Sequence, residues 1–154
     1  RRDIPVVLNH DYRNTGTAAS LALGSQLASE WVVSLDGDLL VRPEDFRAIY
    51  DSPVPCLGVC RSRTAKPVWA TLGEDSSVRM LSQEVESEFE WSGLAKMTRA
   101  VAVQLGTNHV FTGLNSSLPA ASVLVDCVEV DDQNDLRIAT EWCRQLDGMQ
   151  SDAE

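Results

Sequence analysis

The sequence predicts an α/β protein: three layers, α/β/α, around a mixed, mostly parallel sheet. Three observations point there. Short β-branched apolar runs alternate with stretches of helix formers, and that alternation implies strands covered by helices. Two of the apolar runs pass straight into acidic turns. The composition, 44% hydrophobic and 23% charged, is that of a globular chain that can bury a core. At 154 residues the chain is one domain, expected over 1–148, with a polar tail from 149 to 154 expected to fray.

The elements follow in order. Ile4-Pro5-Val6-Val7-Leu8 has the β-branched character of a buried strand. A polar loop through Asn14 leads to a helix starting after Thr17, whose hydroxyl suits a cap, and ending near Ala28. Trp31 to Leu35 is a second strand, delivering Asp36-Gly37-Asp38. Pro43-Glu44-Asp45 opens a helix through Tyr50, since proline fits the first turn and acids fit its positive end. Cys56 to Cys60 is a third strand. Val68–Leu72 and Val78–Leu81 flank a polar turn as a hairpin. In the run from Glu84 to Trp91 four glutamates alternate with other residues, so they should line one strand face, in water or beside Arg61, Arg63 or Lys66. Thr98 to Leu105 is helical with Gly106 as its stop. Leu124 to Val130 is a further strand. After Asp131-Asp132 comes a helix whose Leu136, Ala139, Cys143 and Leu146 form an apolar stripe.

The formal charge is −10, from 13 Lys plus Arg against 23 Asp plus Glu. This excludes a nucleic-acid or anionic-membrane surface, either of which needs a basic patch. It serves solubility or gathers acids around a cation. Cys56, Cys60, Cys127 and Cys143 form no C-x-x-C pair and are read as reduced core residues of a cytoplasmic protein. No apolar run reaches the roughly 20 residues of a membrane helix, and no signal peptide is expected. The chain opens Arg-Arg-Asp, so its first residue is not expected to be the translation start.

Chemistry is expected at two strand ends. Asp38 stands just past one strand, with Gly37 easing the turn, and Asp131 stands just past another. If those strands are neighbours, two carboxylates converge where ligands bind in open α/β sheets. A hard cation such as Mg²⁺ takes one or two carboxylates and fills its other positions with water and phosphate. Asp-rich turns after strands also occur simply as turns, and Asp132 and Asp135 suit the start of the last helix. His10 and His109 lie beside no convincing nucleophile, which argues against a hydrolytic triad. Trp69 and Trp91 are core residues or walls of a ligand pocket, where a ring face can hold a quaternary ammonium.

These pieces fall in a familiar order. The segment Asn9-x-x-Tyr12-x-x-Thr15-x-Thr17-x-x-Ser20-Leu21, the strand ending Gly37-Asp38, the hairpin Trp69 to Val78, Trp91-x-Gly93-Leu94-Ala95 and Glu129-Val130-Asp131-x-x-x-Asp135-Leu136 together resemble the small-molecule nucleotidyltransferases. The phosphocholine, phosphonate and inositol-phosphate cytidylyltransferases resemble it most. The resemblance implies a nucleotide-diphospho-sugar transferase-like fold lacking its first β-α unit. It implies Mg²⁺ held by Asp38 and Asp131 as the catalytic pair, and a nucleoside triphosphate, CTP by family analogy, as one substrate. It implies a phosphorylated small-molecule acceptor as the other, with Asn9, Tyr12 and Ser20 near nucleotide or acceptor and Trp91 and Trp69 at the acceptor.

Two departures accompany it. The family's opening Gly-rich loop and its following lysine, which hold the triphosphate, are absent here, and Gly113 stands where relatives often carry an acid. The first implies a trimmed chain, an N-terminal unit that is a separate chain, or lost catalysis; a homodimer or a missing N-terminal segment is the partner expected. Two rival readings stand beside the first: a metal-dependent glycosyltransferase using Asp36-Gly37-Asp38 as an acidic pair, and a degenerate module kept for binding.

Overall fold

One long strand organises the molecule. In the computed structural model, which describes residues 4–62, 64 and 66–151, the segment Phe89–Thr98 (here β6) runs through the middle of a six-stranded sheet. The strands before it are β1 (Trp31–Ser34), β2 (Leu39–Val41), β3 (Cys56–Arg61), β4 (Trp69–Leu72) and β5 (Val78–Ser82). After it come β7 (Ala121–Leu124) and β8 (Cys127–Glu129). Strand β6 has β3 along one edge, while β4 and β1 share the other, β4 at its start and β1 at its end. Its core half, Leu94 to Met97, is buried as expected for a strand covered on both faces.

The sheet is mixed, but antiparallel pairs predominate among the described residues; only β3–β7 is parallel. The expectation of a mostly parallel sheet fails because β6 enters between β1 and β3 in the opposite sense and the β4–β5 hairpin adds two more antiparallel contacts. Strands β1, β3 and β7 nevertheless point the same way, since β1 and β3 both oppose β6 and β7 follows β3. Their carboxyl ends therefore open on one side of the sheet.

The helices are α1 (Thr17–Ser25), α2 (Pro43–Asp51), α3 (Arg99–Ala102), α4 (Val110–Leu114) and α5 (Gln133–Ser151). Two apolar clusters fill the two faces. On one, α1, α3 and α4 supply Ala18, Ala102, Val110 and Leu114 against Leu57, Val59, Ala95 and Met97. On the other, Ile49 of α2 packs with Leu39, Cys56, Cys60, Leu94 and Cys127. The three-layer α/β/α arrangement is thus built, with α2 and a separate β2–β8 ribbon forming the third layer. Lys96, on the α2 side and 8% exposed, donates from Nζ to the carbonyls of Tyr50 and Ser52, both at 2.6 Å. A cation there meets the negative end of α2.

Several local expectations are corrected. Residues 4–8 form no strand: Ile4, Val6 and Leu8 are 83%, 79% and 66% exposed, and among the described residues no strand pairs with them. Gly16, not Thr17, is the N-cap of α1, because the Thr17 hydroxyl instead accepts from the Val110 amide. Only Glu90 of the four glutamates enters a strand, and it is buried rather than solvated; Glu84, Glu86 and Glu88 precede β6. The run from Leu124 to Val130 splits between two sheets, with β7 in the main sheet and β8 in the ribbon. In α5 only Ala139 of the expected stripe is buried, while Leu136 and Cys143 are exposed; Cys143 is therefore not a core residue. Helix α5 runs to Ser151, and residues 152–154 of the expected tail lie outside the described residues. No helix among the described residues is long and apolar enough to cross a membrane.

Candidate metal centre

The ribbon brings the two predicted carboxylates together. Strand β2 pairs antiparallel with β8, Leu39 facing Glu129, and the Val130 amide donates to the Asp38 carbonyl at 3.0 Å. Asp38, just before β2, and Asp131, just after β8, are thereby placed at one end of the ribbon. Glu129 joins them: carboxylate oxygens of Asp38, Glu129 and Asp131 all lie within 4.8 Å of one another. Glu129 was not among the residues singled out from sequence. The signal was present, because residues two apart on an extended chain share a face, and Glu129 and Asp131 are so spaced.

The set fits a hard cation. All three donors are carboxylate oxygens, as Mg²⁺ and Ca²⁺ prefer. Around Mg²⁺, ligand distances of about 2.1 Å put neighbouring oxygens about 3.0 Å apart and opposite ones about 4.2 Å apart, so the three side chains must rotate inward to share one ion. The thiols of Cys60 and Cys127 are buried in the core and do not belong to the set. Like charges this close repel, and the titration behaviour reflects it. Shielding from water, then Asp131, Asp38, Asp36 and Glu90 in that order, raise the pKa of Glu129. Shielding and then Asp38 raise that of Asp36.

Asp36 itself is held apart from the set. Between the pairs Leu57↔Ala95 and Val59↔Trp91 strand β6 carries two extra residues, a bulge. Gly93 sits in it at φ +84, and a Cβ there would lie 2.8 Å from Asp36 Oδ2. The carboxylate of Asp36 therefore rests on a glycine that both the backbone sign and the contact require. The loop ends of Asp132 and Asp135 serve α5: Asp132 Oδ1 accepts from the amides of Asn134 and Asp135, and Asp135 Oδ2 from those of Asp131 and Asp132.

The other predicted residues fall into separate groups. Asn9 donates to Thr15 Oγ1 and Ser20 Oγ, each at 3.0 Å, so Asn9 and Ser20 do meet. Tyr12 is 63% exposed with the Arg13 guanidinium over its ring. No hydrogen bond among the described residues joins this group to the carboxylates. Trp91 packs into the cluster under α1, with Nε1 donating to the Leu94 carbonyl. Trp69 lies directly opposite Glu90, and Ala70 beside it faces the α1 cluster, so Trp69 projects from the other face. The two indoles do not form one wall. A groove of about 600 Å³ runs along Leu35, Leu39, Leu40, Pro43, Phe46 and Tyr50. It is apolar and no carboxylate of the centre lines it. Gly113, where relatives often carry an acid, has a steric cause: a Cβ would collide with the Leu105 carbonyl oxygen.

No protein-family model matches the chain, and no curated protein matches it in sequence. Solved structures do match. The inositol-1-phosphate CTP transferase from T. maritima superposes with a TM-score of 0.65 at 17% identity, over 79% of this chain and 58% of that one. The fold is that of the nucleotidyltransferases. The CTP:phosphocholine cytidylyltransferase from Streptococcus pneumoniae shares this nucleotidyltransferase fold with a TM-score of 0.65 at 18% identity, over 88% of this chain and 67% of that one. A UDP-glucose pyrophosphorylase in complex with UDP-glucose follows at 0.63 and 11%, over 85% and 62%. The chain thus spans about three-fifths to two-thirds of the solved chains it matches.

Proposed function

We propose that this chain carries the metal- and acceptor-side half of a nucleotidyltransferase, and that the nucleotide is CTP. The observation that carries the reading is the convergence of Asp38, Glu129 and Asp131 at one end of the β2–β8 ribbon of this fold. Two of the similar structures are named for transferring from CTP to a phosphorylated small alcohol, which supports the choice of base and acceptor class.

In this reading a phosphate oxygen of the acceptor attacks the α-phosphorus of CTP. The bond from that phosphorus to the bridging oxygen of the β-phosphate breaks, and pyrophosphate leaves. Asp38, Glu129 and Asp131 would hold Mg²⁺, whose chemistry is to neutralise charge on the phosphate oxygens as it develops. The chain's own work is placement, since such transfer needs no covalent nucleophile. The bulge at Gly93 leaves room for the Asp36 carboxylate, and the ribbon holds Asp38, Glu129 and Asp131 at one end. Asp36 lies outside the three-carboxylate set, which disfavours the Asp36–Asp38 pair demanded by the glycosyltransferase alternative.

The test is product formation by the protein containing this chain, with CTP, Mg²⁺ and phosphocholine or inositol 1-phosphate. Pyrophosphate should appear with a cytidine diphosphate-linked product. Asp38→Ala and Asp131→Ala should each lower the rate on the order of 10²–10³-fold, as loss of transition-state charge stabilisation does. Release of a nucleoside diphosphate from a nucleotide sugar would replace this reading with glycosyl transfer. Unchanged rates in both variants would remove the metal centre.

A further inference from the structure

We propose that Asp126 is a positioning residue of the metal centre: with Arg42 and Trp142 it forms a clamp at the far end of the β2–β8 ribbon, and the clamp sets where Glu129 and Asp131 stand against Asp38. The inference rests on the metal reading of those three carboxylates and adds the device that brings them together.

The ribbon is tied at both ends. At the metal end the Val130 amide donates to the Asp38 carbonyl at 3.0 Å. At the other, in continuous register, the Arg42 amide donates to the Asp126 carbonyl, also at 3.0 Å. Three residue pairs lie between. A two-stranded ribbon of that length is marginal by itself. A slip of one residue would carry Glu129 and Asp131 about 3.3 Å along the strand and turn them to its other face. Leu39 and Cys127 root the ribbon in the core. One step beyond Cys127, Asp126 stands directly opposite Arg42, where oppositely charged side chains on paired strands attract.

Contacts from three elements converge on Asp126. Its Oδ2 lies 3.4 Å from Arg42 Nη2 and accepts from Trp142 Nε1 at 3.4 Å, and its amide donates to Asp45 Oδ2 of α2 at 2.8 Å. The Arg42 and Asp126 side chains are 29% and 35% exposed, and Arg42 Nε is buried with no hydrogen-bond partner among the described residues. A guanidinium shielded in this way depends on its carboxylate, so removing either partner is costly. Trp142 closes a circuit through the ligands. Helix α5 begins at Gln133, just after Asp131, and rises about 14 Å to Trp142. From Val130 back to Asp126 the strand covers about 13 Å. The two lengths match, and the indole of a helix returning along β8 reaches Asp126. Asp131 sits at the turn of that closed path, so its position is fixed from both sides.

The experiment measures Mn²⁺ binding by electron paramagnetic resonance and, in EDTA, hydrogen exchange at the Val130 amide, in the protein containing this chain. Arg42→Gln is decisive because charge and clamp predict opposite signs. Losing a positive charge by itself tightens a cation slightly, whereas losing the clamp weakens it. Arg42→Gln should weaken Mn²⁺ about tenfold, the lower edge of what losing a support behind metal ligands costs, and should speed exchange at Val130; Arg42→Lys should recover part of both. Asp126→Asn should weaken Mn²⁺ by a similar factor, and the Arg42→Gln/Asp126→Asn double variant by no more than either alone. Trp142→Phe, which keeps a ring but loses the donor, should weaken Mn²⁺ about threefold, as for one hydrogen bond. A parent that takes up no Mn²⁺ removes the metal reading. A parent that binds Mn²⁺ while Arg42→Gln binds it as tightly or more tightly overturns the clamp and leaves the metal centre standing, as do losses that multiply in the double variant. If Arg42→Gln fails to fold, Trp142→Phe decides: parental Mn²⁺ affinity and parental exchange at Val130 overturn the clamp.

Discussion

Replacing Glu129 by glutamine removes one negative charge from the carboxylate group while keeping the side chain's shape. At about 4.8 Å, each like-charge pair costs roughly 1 kcal/mol in water-like surroundings, and Glu129 has two such neighbours in Asp38 and Asp131. Glu129 is largely open to solvent, so salt screening reduces the sum to about 1 kcal/mol. The sign follows from its raised pKa. The native state holds the proton more tightly than the unfolded chain, a contribution complete below about pH 4 and lost as pH rises through the raised value. Above it, the ionised form burdens the fold. Glu129→Gln should therefore raise the melting temperature in EDTA at pH 7.5 by about 2–4 °C. With saturating Mg²⁺ the order should invert. If losing a ligand weakens the ion tenfold, the variant forfeits about 1.4 kcal/mol of the stabilisation the parent gains. Thermal denaturation followed by circular dichroism, with and without Mg²⁺, reads both effects. A variant that melts lower than the parent in EDTA refutes the repulsion argument, and one that gains as much from Mg²⁺ refutes the ligand role.

Three further outcomes rest on single contacts. Gly93→Ala should destabilise by about 1–2 kcal/mol from its positive φ and further from the Asp36 contact; in denaturant titrations, adding Asp36→Ala should recover only the second part. Gly113→Ala should cost about 1–3 kcal/mol in the same assay, because the obstructing atom is backbone and cannot turn aside. Lys96→Met should cost about 1–3 kcal/mol by leaving the Tyr50 and Ser52 carbonyls without their donor; a midpoint within error of the parent would show that water replaces the lysine.

Much of this was legible in the residues, where local chemistry decides. The β-branched run at Trp31, the proline and acids opening α2, and the polar turn between β4 and β5 each specify their element whatever surrounds them. Asp38 and Asp131 were legible as strand-end carboxylates, and the ribbon that joins them confirms their proximity. What escaped depends on neighbours. Val6 and Leu8 read as strand, yet a strand needs a ladder partner, and among the described residues none pairs with 4–8. Strand sense escaped because alternating helices and strands do not reveal that β6 inserts against its neighbours. The glutamate row misled because period two describes an extended chain only where it is extended, and that begins at Phe89. Gly113 carried no signal at all, since the carbonyl that dictates it belongs to Leu105, eight positions earlier.

The ribbon imposes an order of assembly. Asp38 leaves the ribosome about ninety residues before Glu129 and Asp131, which follow the described strands of the main sheet. Contacts so distant along the polymer form late, once the intervening loop has been shortened by structure. A nascent or partly denatured molecule therefore has the acids but not the pocket for an ion. On the proposed metal reading, uptake of a dication would report that the whole intervening stretch has reached its native arrangement.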